Sequence, residues 1–202
     1  MARIESVEAL RRIYKAPNER AVAKQLDRLH EHHRRFIELS PFMLLASSGD
    51  GSGGDVSPKG DAPGFVQVLD AHTLAIPDRP GNNRLDTLTN LIANPEIGLI
   101  FLVPGFAETL RVNGTATIED GEDLRARFAV NGRLPATVIL VSVREAYLHC
   151  GKSILRARLW EADAHVDRTE LPSMGEMMKA QTGLGKAESQ AETTARYAET
   201  LY

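Results

Sequence analysis

Residues 55–111 read DVSPKGDAPGFVQVLDAHTLAIPDRPGNNRLDTLTNLIANPEIGLIFLVPGFAETLR, and the succession of turns and apolar runs within them decides the fold. Two basic turns punctuated by glycine and proline, Ser57-Pro58-Lys59-Gly60-Asp61 and Arg79-Pro80-Gly81-Asn82-Asn83-Arg84, flank a hairpin. Its strands run from Gly64 to Asp70 and from Thr73 to Pro77, joined through Asp70-Ala71-His72. The spacing then predicts a helix from Arg84 to Ala93, with Leu85, Leu88, Leu91 and Ile92 inward. Asn94-Pro95 ends it, because the residue before a proline avoids the helical region. Ile97 to Val103 is the most hydrophobic strand and therefore interior. Pro104-Gly105 turns the chain into Thr109 to Glu119, where apolar and polar side chains alternate.

Upstream, Phe42 to Ser48 is an apolar run of strand length. Downstream come a short amphipathic helix from Gly121 to Val130 and a strand from Ala136 to Tyr147. A basic helix from Lys152 to Trp160 follows. Six strands that succeed one another directly, with helices inserted between them, predict a mainly β domain: an antiparallel barrel with peripheral helices. Before it, Val7, Leu10, Ile13 and Tyr14 space a helix that stops at Pro17. Asn18 caps a second one that runs to Ser40-Pro41. The expected organisation is a helical arm over residues 1–40, a barrel over 41–162 and a polar extension over 163–202. In that extension Met174 to Ala180 reads as helix, and the last fifteen residues as a frayed helix or an embrace of a partner.

A chain of 202 residues with 43% apolar content can bury one substantial core. Its net charge of −3 gives no global attraction to nucleic acid or anionic lipid. The lone cysteine, Cys150, excludes an intramolecular disulfide, and no apolar run reaches membrane-spanning length, so the expectation is a cytoplasmic protein.

The two basic turns carry the chemistry. Pro58 stiffens the first, Gly60 permits a positive φ, and Lys59 and Ser57 offer a cation and a hydroxyl. In the second, Pro80-Gly81 sets Asn82, Asn83 and Arg84 at a helix start, where backbone amides and a guanidinium form an anion site. Two such turns one hairpin apart favour a phosphate ligand over solvated charges paired as Asp78–Arg79 and Asp86–Arg84. Thr109 and Arg111 open a strand facing the same region, and Lys152 and Arg156, four apart, share one helix face. Other patterns carry less. Gly49 to Gly54 matches G-x-G-x-x-G, yet Pro58, Gly60, Pro63 and Gly64 forbid the helix a dinucleotide site requires. His30 and His33 share a helix face without a third ligand, so a solvated surface is expected there rather than a metal. Cys150 has no triad around it.

The strings SPKGDAPGF, PDRPGNNRLD, FLVPG, ETLRVNG, HCGKS and LW, in that order between Ser57 and Trp160, resemble the pyridoxamine 5'-phosphate oxidase-like FMN-binding split barrels. They are most similar to a branch of FMN-dependent enzymes of unknown substrate. The resemblance implies a homodimeric split barrel with FMN at the subunit interface, held by residues of both chains, and an oxidoreductase activity. Asn82, Asn83 and Arg84 stand where the oxidases grip the phosphate, and Thr109 where a glutamine meets the flavin ring. Ser57, Lys59, Gly60, Ile76, Pro77, Arg111, Lys152 and Arg156 complete the expected cofactor contacts. The strand matching Gly64 to Asp70 lacks the oxidases' arginine and lysine, a charge that Lys59 can supply. The C-terminal Arg-Leu-His-Asp-Arg motif is absent, which argues against vitamin B6 oxidation. Related barrels leave two alternatives open: a flavin- or haem-binding protein without turnover, and a deazaflavin-dependent reductase.

Overall fold

Alternation writes most of the sheet. In the computed structural model, which describes residues 3–51 and 53–201, β1 (Phe42–Gly49) buries Met43 and Leu45 while Phe42 and Ala46 face out. The same period buries Ile97, Leu99 and Phe101 on β5 (Glu96–Leu102), and Leu110 and Val112 on β6 (Thr109–Glu119). With β2 (Gly53–Gly60), β3 (Gln67–Val68), β4 (Thr73–Pro77) and β7 (Val138–His149) they form one antiparallel sheet, ordered β2-β1-β5-β6-β7-β4-β3. The core fills its concave side: Met43, Leu45, Leu74, Ile76, Leu99, Phe101 and Leu110 are all under 2% exposed. Each such side chain contributes roughly 1.5–3 kcal/mol of transfer free energy.

The sheet has seven strands where six were expected, and the additional one is β2. Its glycines and Pro58 suggest a turn, yet Ser57, Pro58 and Lys59 pair with Leu45, Leu44 and Met43. Proline is tolerated there because β2 is an edge strand, whose outer N–H row needs no ladder partner. Closure is made by side chains. Lys59 Nζ on β2 lies 3.1 Å from Asp78 beyond β4, and Arg79 Nε lies 2.6 Å from Asp61 beyond β2. The barrel is split at this seam, and two half-buried ion pairs span it.

Gly114 sets the bend in the long β6–β7 ribbon. The register shifts between Asn113 and Gly114, and a Cβ at Gly114 would stand 2.0 Å from the Ser142 carbonyl oxygen. A glycine at a bulge is the sequence mark of that backbone approach.

The helical segments differ from expectation for reasons of long range. The helix predicted from Asn18 to Ser40 is broken into α2 (Glu19–Ala23) and α3 (Glu31–Leu39). Between them Leu26 exchanges both main-chain hydrogen bonds with Ala146 of β7, at 3.1 and 2.8 Å. That stretch of β7 lies past the end of β4, and its unpaired backbone outweighs local helix propensity. The preceding α1 (Val7–Ile13) and α2 bury none of their residues. The next helix, α4, spans Asp86–Ala93 rather than beginning at Arg84, and its inward face is Thr87, Asn90 and Leu91. Leu85 and Ile92 point outward, 54% and 79% exposed. The phase is set by Asn90, whose amide donates to Ser47 Oγ of β1 at 3.2 Å. Downstream, α5 (Glu122–Ala126) and α6 (Lys152–Ala157) are shorter than predicted; α6 stops because Arg158 turns left-handed at φ 50°. The tail carries α7 (Met174–Thr182) and α8 (Gln190–Thr200), each opened by a Ser–Glu capping box. Among the described residues, no helix is long and apolar enough to cross a membrane.

Candidate functional site

Strand alternation aims three β2 side chains at the seam: Asp55, Ser57 and Lys59 are half-buried while Val56 and Pro58 are exposed. Opposite them runs the connection 78–88, and residues 134–137 close the side. The cleft between them, open to solvent, measures about 710 Å³. Ser57, Lys59, Asn82, Asn83 and Arg84, drawn from both basic turns, therefore line one cavity.

Two features of this cleft are unusual. The backbone of the second turn takes left-handed values at Asn83 (φ 57°) and at Leu85 (φ 61°), the N-cap of α4. For a leucine that conformation costs about 1–2 kcal/mol, and such strain gathers at ligand sites. Leu85 also supplies no side-chain cap, so the first amides of α4, at Asp86, Thr87 and Leu88, meet the cleft without a capping side chain. They carry the positive end of the helix dipole. The second feature is Thr137 Oγ1, a buried oxygen on the cleft wall that has no hydrogen-bond partner among the described residues. Buried polar atoms are rarely left so.

Electrostatically the cleft is balanced. Lys59 pairs with Asp78, both about a fifth exposed, and Arg79 with Asp61, whose side chain is 3% exposed. The alternative pairing Asp78–Arg79 does not form: the closure of the barrel gives Asp78 to Lys59 and Arg79 to Asp61. Arg84 does pair with Asp86, at 2.7 Å, in solvent. Its guanidinium is held above the usual arginine value by that hydrogen bond first and by the Asp86 charge second. Exposed pairs of this kind are weak and open readily to a competing anion.

The remaining expected contacts lie elsewhere. Ile76 and Pro77 are buried in β4, with their backbones laddered to Ile139 and Val138. Gly60 ends β2 and borders a smaller neighbouring cavity. Thr109 begins β6 opposite His149, and Arg111 lies outside over the Tyr147 ring, 5.8 Å from its centroid. Lys152 and Arg156 are exposed on α6. None of these four lines the cleft. Near them Trp160 is 37% exposed and donates from Nε1 to the Phe106 carbonyl at 2.8 Å. Asp55, Asp61 and Thr137 escaped the sequence reading. The period-two spacing of Asp55, Ser57 and Lys59 was the available signal for the first.

His30, Glu31 and His32 bring ligand atoms within 4.8 Å of one another. Within α3, His30 Nδ1 accepts from the His32 amide and His33 Nδ1 from the His30 amide. The glycine-rich loop at Gly49 joins β1 to β2 with no helix after it, and its Ser52 lies outside the described residues.

The family described as pyridoxamine 5'-phosphate oxidase matches residues 29–150, more than half of the chain. The chain belongs to this family. Among solved structures, a variant of HupZ from Group A Streptococcus is 16% identical, with a TM-score of 0.50 over 59% of this chain and 98% of that one. A candidate pyridoxamine 5'-phosphate oxidase from Lactobacillus delbrueckii is 20% identical, with a TM-score of 0.48 over 61% and 98%. An FMN-binding protein from Syntrophomonas wolfei is 10% identical, with a TM-score of 0.43 over 57% and 86%. At these identities the likeness is one of fold. No curated protein matches the chain.

Proposed function

We propose that the chain is a cytoplasmic FMN-binding oxidoreductase whose 710 Å³ cleft holds the cofactor by its phosphate. The observation that carries this reading is the N-terminus of α4, which lacks a side-chain cap and is entered through a strained leucine beside Lys59 and Ser57. Amides, a hydroxyl and an ammonium are the donor set a phosphate monoester takes. Thr137, whose buried hydroxyl is orphaned, lies on the same wall. Gly81 leaves open space where a Cβ would stand, so the ligand can approach the backbone of the turn. When bound, FMN would supply hydride or electron transfer, and the protein would supply orientation and electrostatics.

Thr109, Arg111, Lys152 and Arg156 then act from a second copy of the chain, because within one copy they stand outside the cleft. The exposed apolar side chains around them, Phe106, Leu155, Leu159 and Trp160, support a subunit contact there.

The test is to purify the protein, release any chromophore and identify it by mass spectrometry, then titrate apoprotein with FMN. The expected result is FMN bound at about one per chain. A colourless protein that takes up no added FMN overturns the reading; a released deazaflavin or haem replaces the cofactor and keeps the fold.

A further inference from the structure

We infer that the helical arm of one copy lies on a second copy, with the apolar face of α1 seated on the outer face of α4 at the rim of the cleft. The inference rests on the subunit contact proposed above, in which the ribbon end of one copy meets the cleft of the other. The arm is rooted at that ribbon end. Leu26 exchanges main-chain hydrogen bonds with Ala146, and Lys24 Nζ donates to the Leu148 carbonyl at 2.8 Å. Leu148 pairs with Leu110, the neighbour of Thr109. The root of the arm therefore stands beside the residues that reach the other copy's cleft.

Two apolar faces are then left to meet. On α1, Val7, Leu10 and Tyr14 follow helical spacing with Ile13 beside them, and Val7 and Ile13 are 67% and 63% exposed. This helix has seven residues and buries none of them within its own chain. So short a helix is marginal in water without a surface to cover it. On α4, the outward Leu85 and Ile92 stand two turns apart, and Leu85 is also a wall of the cleft. Each stripe runs about 10 Å, seven residues at roughly 1.5 Å apiece. Exposed Val56 extends the second face from β2.

Charge selects where the arm settles. Its end carries Arg11, Arg12 and Lys15. The ribbon end at its own root is basic as well, at Arg111, Lys152 and Arg156. The rim of the cleft instead offers Asp55 and Asp86, with the Asp86 side chain half exposed. Apolar stripe and carboxylates thus occur together on the second copy and complement the arm.

The test mixes two differently tagged chains, both Cys150→Ser, one carrying Leu10→Cys and the other Ile92→Cys. Each chain then has a single cysteine, so any disulfide joins two chains, and it requires their Cα atoms within about 7 Å. The mixed product is expected at about ten times or more the yield obtained when Glu122→Cys, exposed on α5, replaces Ile92→Cys. In parallel, Leu10→Glu, on a helix that buries nothing in its own chain, should weaken self-association about tenfold or more in sedimentation. A mixed yield no greater than the control, or self-association indifferent to Leu10→Glu, overturns the inference. FMN uptake alongside either of those results leaves the flavin reading standing and removes the arm. A chain that stays monomeric removes the subunit contact and the arm together. Absence of the mixed disulfide, with wild type but not Leu10→Glu sedimenting on phosphatidylserine vesicles, overturns it in favour of a lipid surface.

Discussion

The cleft at the barrel seam and the Thr109 end of the β6–β7 ribbon both attract attention for their cations, yet they are built differently. At the seam Lys59 and Arg79 are recessed, paired and set against strained backbone, an uncapped helix and an orphaned hydroxyl. At the ribbon end, Arg111, Lys152 and Arg156 stand exposed beside uncovered apolar side chains. The first has the marks of a place for a small anion. The second has those of a place for another surface. Charge alone does not separate them; burial and unmet hydrogen-bonding capacity do.

The contrast depends on the bend that separates the two regions. Replacing Gly114 by alanine drives a Cβ into the Ser142 carbonyl and is expected to cost about 3 kcal/mol or more, beyond the usual range of overpacking. The midpoint of urea unfolding reads this, and an unchanged midpoint would mean the ribbon does not bend there. Next in size, Lys59→Gln, which can still hydrogen-bond Asp78, should weaken FMN by about 1.5–3 kcal/mol, the value of a hydrogen bond to a charged group. Lys152→Gln and Arg156→Gln should leave FMN affinity unchanged in protein dilute enough to be monomeric. Equal losses in all three variants under those conditions would erase the distinction between the regions.

A smaller effect separates binding from stability. Thr137→Val removes the orphaned hydroxyl and is expected to weaken FMN by about 0.5–1.5 kcal/mol while the apoprotein melts no lower. A lower melting temperature with unchanged affinity would give that hydroxyl a structural partner instead of a ligand. The smallest effect is that of pH on α3, which belongs to the ribbon-end side through the edge-on contact of Phe36 with Phe106 at 6.2 Å. Burial, then the charges of His30 and His32, hold His33 below the usual histidine value. The folded protein therefore prefers neutral His33. The associated stability is complete above about pH 6.5, and it declines as pH falls through the lower folded value. Protection of the α3 amides relative to their intrinsic exchange rates should fall between about pH 7.5 and 5 by more than that of α4, which has no histidine. An equal loss of protection in both helices would tie the change to global unfolding.

Where local pattern determines structure, the sequence could be read closely. Thr109 to Glu119 and Thr73 to Pro77 were placed to the residue because alternation and flanking turns fix a strand from within. The meeting of Lys59 with Asn82, Asn83 and Arg84 in one cavity was legible as two turns one hairpin apart. The strand nature of 53–60 was not, since glycine and proline read as a turn unless it is known that the segment lies at an edge. Nor was the break at Leu26, which answers to a carbonyl on Ala146, 120 residues away. The Lys59–Asp78 pair was not legible for the same reason: Asp78 reaches Lys59 only after the two sheet edges come together.

That contact at Leu26 also bears on how copies of the chain can meet. With β7 covered past β4 and β3 only two residues long, β2 is the longest open border among the described residues, and Pro58 removes one donor from its backbone. A neighbour adding a strand there would meet that gap, whereas contact through side chains at the ribbon end would not.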